Sequence, residues 1–395
     1  MLIVTQNIHS KIISFTILWI GYFLCVFSRC LFPFFTSQLI LEMKINSLEI
    51  GNLFLHLSLG VGTALFSSQF IARYFSHKQL CFLALLLLGL SQISLIQLTD
   101  WFWFKKVIFI LGFASGLFLP SSVAIINEIW SKNSFGKVFS IYSFAQSFAF
   151  LCSPAISNLS STYLSFTYRK IVLLLGITTI LFSFFFLLFA KNGNFLNKTF
   201  TFSYYKKLTT FPAFWWLLTS LALVTALNVG IYNMIGHFFS TQHITNGNTT
   251  VMISRVSGIC LALLLGIFAD RWDSKKIVYY GILLCGFITL GLGLLQNVSL
   301  KLLCFHLQAP LAVALTPLVH AIISSLVPKE YNTSFISLFS SIAFILGAGV
   351  LPQVLGACQH FHSYGLGFLL IGSLSVILGL YLKPSKLPEQ ILKES

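Results

Sequence analysis

Two arginines lie inside long apolar stretches of this 395-residue chain. Arg29 follows the start of the first stretch by about 17 residues, which is roughly 25 Å of helix. A charge at that depth costs at least a few kcal/mol, so we expect it to face a wet cavity or a substrate; the alternative is an arginine that snorkels to the surface. Tyr22 shares its helix face and could supply a hydroxyl. Arg255 lies only a few residues into a later stretch, so substrate contact, interface packing and snorkelling all stay open.

Carboxylates are missing from the middle of every apolar stretch. The nine acids fall in loops, tails or helix ends: Glu42, Glu49, Asp100, Glu128, Asp270, Asp273, Glu330, Glu389 and Glu394. Many proton-coupled carriers relay the proton through a buried carboxylate, and the sequence places none at that depth. We therefore expect the substrate itself to bring the negative charge to Arg29, as a small organic anion moved by exchange or facilitated diffusion.

Histidines and neutral polar residues are the remaining candidates. His320 in the tenth stretch and His56 in the second could relay a proton, although hydrogen-bonded packing is the alternative for both. Asn228 and Tyr232 lie one turn apart in the seventh stretch, and Gln146 lies in the fifth. Each of these three could line a binding pocket or hold helices together through hydrogen bonds.

Composition excludes a soluble globular domain. Hydrophobic residues make up 57% and charged ones 8% of the chain, and the mean hydropathy is +0.90. The net charge of +15 sits in short loops between apolar runs, which indicates membrane orientation rather than nucleic-acid binding. The eight cysteines form no CxxC pair and no Cys/His cluster, and soluble-enzyme motifs are missing. We expect neither an enzyme nor a metal or cofactor.

Twelve windows have the length and composition of spanning helices. They are 12–36, 48–71, 79–98, 105–127, 137–159, 170–190, 212–237, 250–268, 277–296, 302–326, 334–357 and 365–382. With both termini in the cytoplasm, sixteen cations fall inside and six outside, as the positive-inside rule requires. The fold class predicted is therefore an all-α, polytopic membrane protein.

The chain also repeats itself. GIFADRWDSKK at 266–276 echoes SQFIARYFSHK at 68–78, an offset of 198 that also aligns the small-residue rows Gly60-Ala64-Ser68 and Gly258-Ala262-Gly266. Such rows let helices approach closely. A fixed offset of this size predicts two pseudo-symmetric six-helix halves, 1–190 and 212–382, with a cytoplasmic linker at 191–211 and a tail at 383–395. The offset places Asn228 nearly opposite Arg29, which favours a pocket role for Asn228.

These motifs resemble the major facilitator superfamily. GIFADRWDSKK is similar to its signature loop, and Gly112, Gly116 and Pro120, followed by Trp130, Gly136 and Pro154, fit its fourth and fifth helices. The resemblance implies a gating loop in which Asp270 and Arg271, with Lys275 and the repeat's Arg73, tie the cytoplasmic ends of neighbouring helices. In the first half Ala72 replaces the usual acid.

A finer resemblance is to the organophosphate:phosphate antiporters. Gly21, Tyr22 and Arg29 fit the first helix of that branch, and Pro212, Trp215 and Gly230 fit its seventh. Asn228 stands where that branch has its second arginine, and Gln146 where it has a histidine. The resemblance implies shared architecture without phosphate-ester specificity.

The sequence thus predicts a secondary transporter for a small, anionic organic metabolite, working by alternating access. Two alternatives stay open: a transporter-like solute sensor or receptor, and a proton-coupled carrier of a neutral solute that uses histidines. The expected setting is the lipid bilayer of a bacterial inner membrane, and the expected state is a monomer that binds no nucleic acid.

Overall fold

The computed structural model describes residues 2–130, 132–160, 166–190, 209–210, 212–244, 246–269, 272–326 and 332–383. Within these ranges the chain is helical and contains no β-strand. The predicted all-α fold class is therefore confirmed.

Twelve helices among the described residues are long and apolar enough to cross a membrane, as predicted. Helices 1 to 6 span Ser10–Phe34, Ser47–Ile71, His77–Gln97, Trp101–Ile129, Val138–Leu159 and Tyr168–Phe189. Helices 7 to 12 span Pro212–Thr241, Gly247–Ala269, Ser274–Leu294, Val298–Leu326, Phe335–Phe361 and Tyr364–Tyr381. A short helix, Thr36–Met43, precedes helix 2.

Polar residues in the loops define where several helices begin. Ser76 and Gln79 form a reciprocal capping box at the start of helix 3. Asp100 accepts from the backbone N–H groups of Phe102 and Trp103 and caps helix 4. Asp273 caps helix 9 in the same way. These caps satisfy N–H groups that have no partner within the helix.

The chain divides into two compact units. The first contains Met1–Phe32 and Leu59–Asn197, and the second contains Pro33–Ser58 and Lys198–Ser395. Helix 2 therefore contributes its beginning to the second unit and its remainder to the first. Of the predicted linker at 191–211 only residues 209–210 are described, and of the predicted tail only residue 383.

In the first unit, glycines bring helix 4 against helix 2. A Cβ on Gly60 would clash with the carbonyl oxygen of Phe109, and a Cβ on Gly116 would lie 2.7 Å from that of Val61. Backbones this close gain dispersion contacts that larger side chains would prevent. The small-residue row predicted at Gly60 is therefore a helix contact.

The equivalent row in the second unit is only partly a contact. A Cβ on Gly258 would lie 2.9 Å from Val313 Cβ, so helix 8 packs against helix 10 there. Among the described residues, a Cβ on Gly266 would meet nothing within 4 Å. The expectation of close packing at Gly266 is wrong, because no described backbone lies within that distance of the position.

Helices 7 and 11 of the second unit each contain a π-helical segment, at Ala226–Gly230 and Phe344–Val350. The two segments pack against each other: a Cβ on Gly347 would lie 2.6 Å from Ala226 N. The beginning of helix 2 packs on helix 11, where Gln353 Nε2 donates to Asn52 Oδ1 at 2.9 Å. The second unit is thus built around backbone contacts that only small residues allow.

Gly60→Ala should lower the free energy of unfolding by roughly 1–3 kcal/mol, because the added methyl overpacks the contact with helix 4. The same change at Gly266, which lies in the small-residue row of the other half, should be neutral or stabilise the helix by up to about 1 kcal/mol. Thermal unfolding of the detergent-purified variants measures both. Equal melting temperatures for the two would contradict the packing described here.

Candidate functional site

Arg255 is the centre of a polar cluster in the second unit. It lies eight residues after the first residue of helix 8, about 12 Å along the helix axis, and its side chain is only 5% exposed. Nη1 donates to Asn228 Oδ1 at 2.6 Å, and Nη2 donates to the Asn228 carbonyl oxygen at 3.3 Å. The guanidinium carbon lies 4.4 Å from the centroid of the Tyr232 ring. The snorkelling alternative is thereby wrong for Arg255, because its head group turns toward the middle of helix 7.

Two main-chain carbonyls of the π-helical segment accept from side chains of neighbouring helices. Within the segment the N–H of Ile231 bonds to the carbonyl of Ala226, five residues earlier, instead of the usual four. Asn228 accepts from Arg255, and Leu227 accepts from Gln308 Nε2 at 3.0 Å.

Thr316 fixes the orientation of the Asn228 amide. Asn228 Nδ2 donates to Thr316 Oγ1 at 3.0 Å, and the Thr316 hydroxyl donates to the carbonyl of Ala312 at 3.1 Å. Because the hydroxyl proton is directed at Ala312, its oxygen presents lone pairs to the amide. The amide nitrogen therefore faces Thr316 and the amide oxygen faces Arg255. We name Arg255, Asn228, Tyr232 and Thr316 the arginine cluster.

The predicted candidates of the first unit also meet. The Tyr22 hydroxyl donates to Gln146 Oε1 at 2.6 Å, and the Tyr22 ring stacks on Tyr142 with centroids 4.8 Å apart. The Tyr142 hydroxyl is hydrogen-bonded to Ser122. Helices 1, 4 and 5 are thus joined by buried hydroxyl and amide groups, with Gln146 half-buried.

Arg29 lies in the last turn of the α-helical part of helix 1, which ends at Cys30 and continues as a 3₁₀ turn over Phe32–Phe34. The sequence predicts a first stretch that runs to residue 36, so Arg29 lies closer to the end of its helix than predicted. The side chain is half-buried. Arg29 follows Tyr22 by seven residues in the same α-helix, and this spacing of about two turns places both residues on one helix face.

The candidate histidines bond mainly to their own helices. His320 Nδ1 lies 3.0 Å from the carbonyl oxygen of Thr316, and His56 Nδ1 lies 2.8 Å from that of Asn52. A carbonyl oxygen only accepts, so Nδ1 carries the proton and Nε2 is the ring atom that could exchange one. His320 thus shares Thr316 with the arginine cluster, through its backbone rather than its side chain.

The comparisons with known proteins decide the family. The sequence model described as Major Facilitator Superfamily matches residues 18–352, which is most of the chain. The chain belongs to the major facilitator superfamily. Family membership indicates a membrane transporter rather than an enzyme. Comparison with curated proteins gave no match.

Solved structures of transporters share the fold of this superfamily member. A D-xylose–proton symporter matches with a TM-score of 0.78 at 14% identity, over 96% of this chain and 98% of that one. A bacterial homologue of the human lysosomal transporter Spinster matches with a TM-score of 0.73 at 13% identity, over 94% of each chain. The nucleoside transporter NupG matches with a TM-score of 0.72 at 14% identity, over 95% of this chain and 98% of that one. At these identities the likeness shows the fold alone.

The gating loop of this superfamily member is described only in part. Asp270 and Arg271 lie outside the described residues. Lys275 donates its backbone N–H to Asp273 Oδ1 at 3.0 Å as part of a helix cap, and the Arg73 guanidinium lies 5.7 Å from the centroid of the Phe70 ring. The proposed latch between these four residues stays a prediction.

Sequence reasoning missed Thr316 and Gln308, both of which support Asn228 and its neighbours. Each is a polar residue inside the apolar run of helix 10, and eight residues separate them. That spacing places two residues close to one helix face, and such a polar pair in an otherwise apolar helix is a signal for an interhelical contact. Mean hydropathy alone does not reveal this polar pair, because the rest of helix 10 is apolar.

Thr316→Val should destabilise the protein by about 1–3 kcal/mol, because valine keeps the volume but leaves the buried amide nitrogen of Asn228 without its acceptor. Thr316→Ser keeps the hydroxyl and should unfold close to the parent temperature. Thermal unfolding in detergent compares the two variants. If serine and valine destabilise alike, the hydroxyl does not hold Asn228.

Proposed function

We propose that this superfamily member is a secondary transporter that moves a small organic anion by exchange or facilitated diffusion, through alternating access. The main support for this proposal is the burial of the Arg255 guanidinium. A guanidinium that is 5% exposed must be stabilised by its surroundings, since a charge at membrane depth is costly. The residues that position it, Asn228 and Tyr232, are both neutral.

The sequence supports an anionic substrate rather than a buried counter-ion. All nine carboxylates fall in loops, tails or helix ends. A substrate carboxylate reaching the arginine cluster would add the negative charge that Asn228 lacks, and a charge-assisted bond to arginine contributes more than a neutral one. Release is then feasible, because Asn228 and Tyr232 continue to hold the guanidinium after the anion leaves.

Tyr22, Gln146 and Arg29 are proposed as substrate contacts in the first unit. The Tyr22 hydroxyl and the Gln146 amide already form a polar pair between two spanning helices, and Arg29 lies about two turns after Tyr22 on the same helix face. The alternative is that the Tyr22–Gln146 bond only holds helices 1 and 5 together. A polar contact of this kind contributes about 0.6–2 kcal/mol between membrane helices.

The proposed setting follows from charge distribution. Sixteen cations fall on one side of the predicted topology and six on the other, which favours a bacterial inner membrane with both termini in the cytoplasm. We also propose that the two six-helix halves, 1–190 and 212–382, are the bodies that alternate, and that the protein acts as a monomer.

A second candidate is proton-coupled carriage of a neutral solute. It is favoured by the bond between His320 Nδ1 and the Thr316 carbonyl, which leaves Nε2 as the exchanging atom one turn from the arginine cluster. Collapse of the proton gradient separates the two functions, since exchange of an anion for an anion does not consume the gradient.

Arg29→Lys, Arg29→Ala, Arg255→Lys and Arg255→Gln should each lower exchange of labelled organic anions in proteoliposomes by roughly tenfold or more. Lysine keeps the charge but loses the planar fork that binds a carboxylate through two bonds. Each lost charge-assisted bond corresponds to about 1.5–3 kcal/mol.

Leu263→Ala is the control, because Leu263 lies on the same helix as Arg255 and is 69% exposed. It should exchange at the parent rate. Normal exchange by both Arg29→Ala and Arg255→Gln would contradict an anionic substrate. A strong loss of transport when the proton gradient is collapsed would instead favour proton coupling through the histidines.

Asn228→Asp separates charge from packing. The substituted carboxylate keeps the acceptor for Arg255 and neutralises it in place, so anion exchange should fall at least tenfold while the protein stays folded. Exchange in proteoliposomes and thermal unfolding in detergent are measured together. Parent-level exchange by Asn228→Asp would show that the positive charge of Arg255 does not attract the cargo.

A further inference from the structure

His237 is a buried histidine that the proposed transport does not use. It lies near the end of helix 7, and its side chain is 5% exposed. Nε2 of the ring lies 2.8 Å from the hydroxyl oxygen of Ser47, the first residue of helix 2. The ring also meets that of Tyr364, the first residue of helix 12, edge to face, with centroids 5.7 Å apart. His237 thus joins the ends of three helices within the second unit. We name His237, Ser47 and Tyr364 the histidine contact.

Two buried polar atoms of the histidine contact have no hydrogen-bond partner among the described residues. They are Nδ1 of His237 and the hydroxyl oxygen of Tyr364, whose side chain is 2% exposed. The Tyr364 ring also packs against Phe238 and Phe368, with centroids 5.4 and 6.2 Å away, and aromatic rings are at most weak acceptors. Most buried polar atoms in folded proteins are paired, so two exceptions in contacting side chains require an explanation.

The immediate surroundings of His237 are neutral. Ser47 and Tyr364 carry no charge near neutral pH, and helix 7 contains no acidic or basic residue apart from His237 itself. Glu49 is two residues after Ser47 and therefore does not share its helix face. The other charged or titratable side chains around this end are exposed or have other partners: Glu42, Lys44, His243, His360 and His362 are exposed, Lys301 donates to Gln242, Arg255 donates to Asn228, and His306 lies beside Ser254.

A proton on His237 is unfavourable while this contact is in place. A neutral imidazole has one N–H and one lone pair, whereas the protonated ring has two N–H donors and a positive charge. The histidine contact offers an oxygen to Nε2 but no bonded acceptor to Nδ1, and a buried charge without a counter-charge is costly. A histidine in water takes up a proton readily near neutral pH. Protonation therefore favours an arrangement in which the ring reaches water.

The element attached through the histidine contact is the start of helix 2. Residues 33–58 belong to the second unit and meet helices 7 and 11 through close main-chain contacts. A Cβ on Gly236 of helix 7 would clash with the carbonyl oxygen of Pro33. A Cβ on Gly356 of helix 11 would clash with the carbonyl oxygen of Ser47. These main-chain contacts involve no group that titrates, whereas the bond between Ser47 and the imidazole does.

We propose that His237 is a proton-binding site and that proton uptake releases the start of helix 2 from helix 7. The predicted topology places this end of helix 7 outside, so acid on the outer side is the signal. Deprotonation restores the bond to Ser47. This role goes beyond the proposed transport and differs from proton coupling through His320 or His56, because the proton regulates a helix contact and is not carried with the cargo. It holds for any cargo.

The test follows hydrogen–deuterium exchange of residues 44–58 by mass spectrometry, using the full-length protein in nanodiscs. Protection is compared at about pH 7.5 and about pH 5.5, after correction for the intrinsic pH dependence of amide exchange. The parent should lose roughly tenfold in protection, because an exposed histidine has a pKa of about 6.5 and opening then gains one proton. His237→Gln keeps a side-chain N–H for Ser47 but cannot titrate, so its protection should change less than about twofold.

His360→Gln is the matched control, because His360 is exposed in the last turn of helix 11. It should respond to pH as the parent does. Ser47→Ala removes the oxygen that His237 binds, so protection should already be low at the higher pH. A parent without a pH response, an equal response in His237→Gln, a lost response in His360→Gln, or parent-like protection in Ser47→Ala would each overturn the proposal.

Discussion

The contact between helices 7 and 8 of the second unit depends on how the charge of the buried Arg255 guanidinium is stabilised. Arg255 is 5% exposed, and its charge is accommodated by two oxygens of one residue, Asn228, and by the face of Tyr232. Hydrogen bonds to a charged donor are stronger than neutral ones, and they gain strength where water is excluded. Arg255 therefore links helix 8 to the middle of helix 7.

This interaction falls in an irregular part of helix 7. The Asn228 carbonyl lies in the π-helical segment Ala226–Gly230, after which the N–H of Ile231 bonds five residues back instead of four. An unsatisfied carbonyl is not tolerated in hydrocarbon, so such a segment persists only where protein donors replace the lost bonds. Arg255 and Gln308 do so on helix 7, and Asn233 donates to the Ala348 carbonyl within the π segment of helix 11.

Hydropathy and spacing predicted the number of helices well, because the length of a spanning helix is set by the bilayer rather than by the rest of the fold. They could not predict the π segments, since no residue pattern distinguishes Asn228 in a π turn from an asparagine in an ordinary turn. The repeat was informative for Gly60 and misleading for Gly266, because a shared offset aligns small residues but does not preserve the neighbour that each residue meets. Residue counting placed Arg255 near the membrane surface, and it says nothing about the direction in which a long side chain turns.

Asn228 also bears on which anions suit the proposed transport. A second arginine at this position would place two like charges within one cluster, and such a pair needs a dianion or two anions to balance it. Asparagine gives the cluster one positive charge and a neutral acceptor, with the amide held by Thr316. A singly charged carboxylate balances one guanidinium, whereas a phosphate ester would bring a second negative charge that the arginine cluster does not match. For the proposed cargo, the cluster therefore favours a monoanion over an organophosphate.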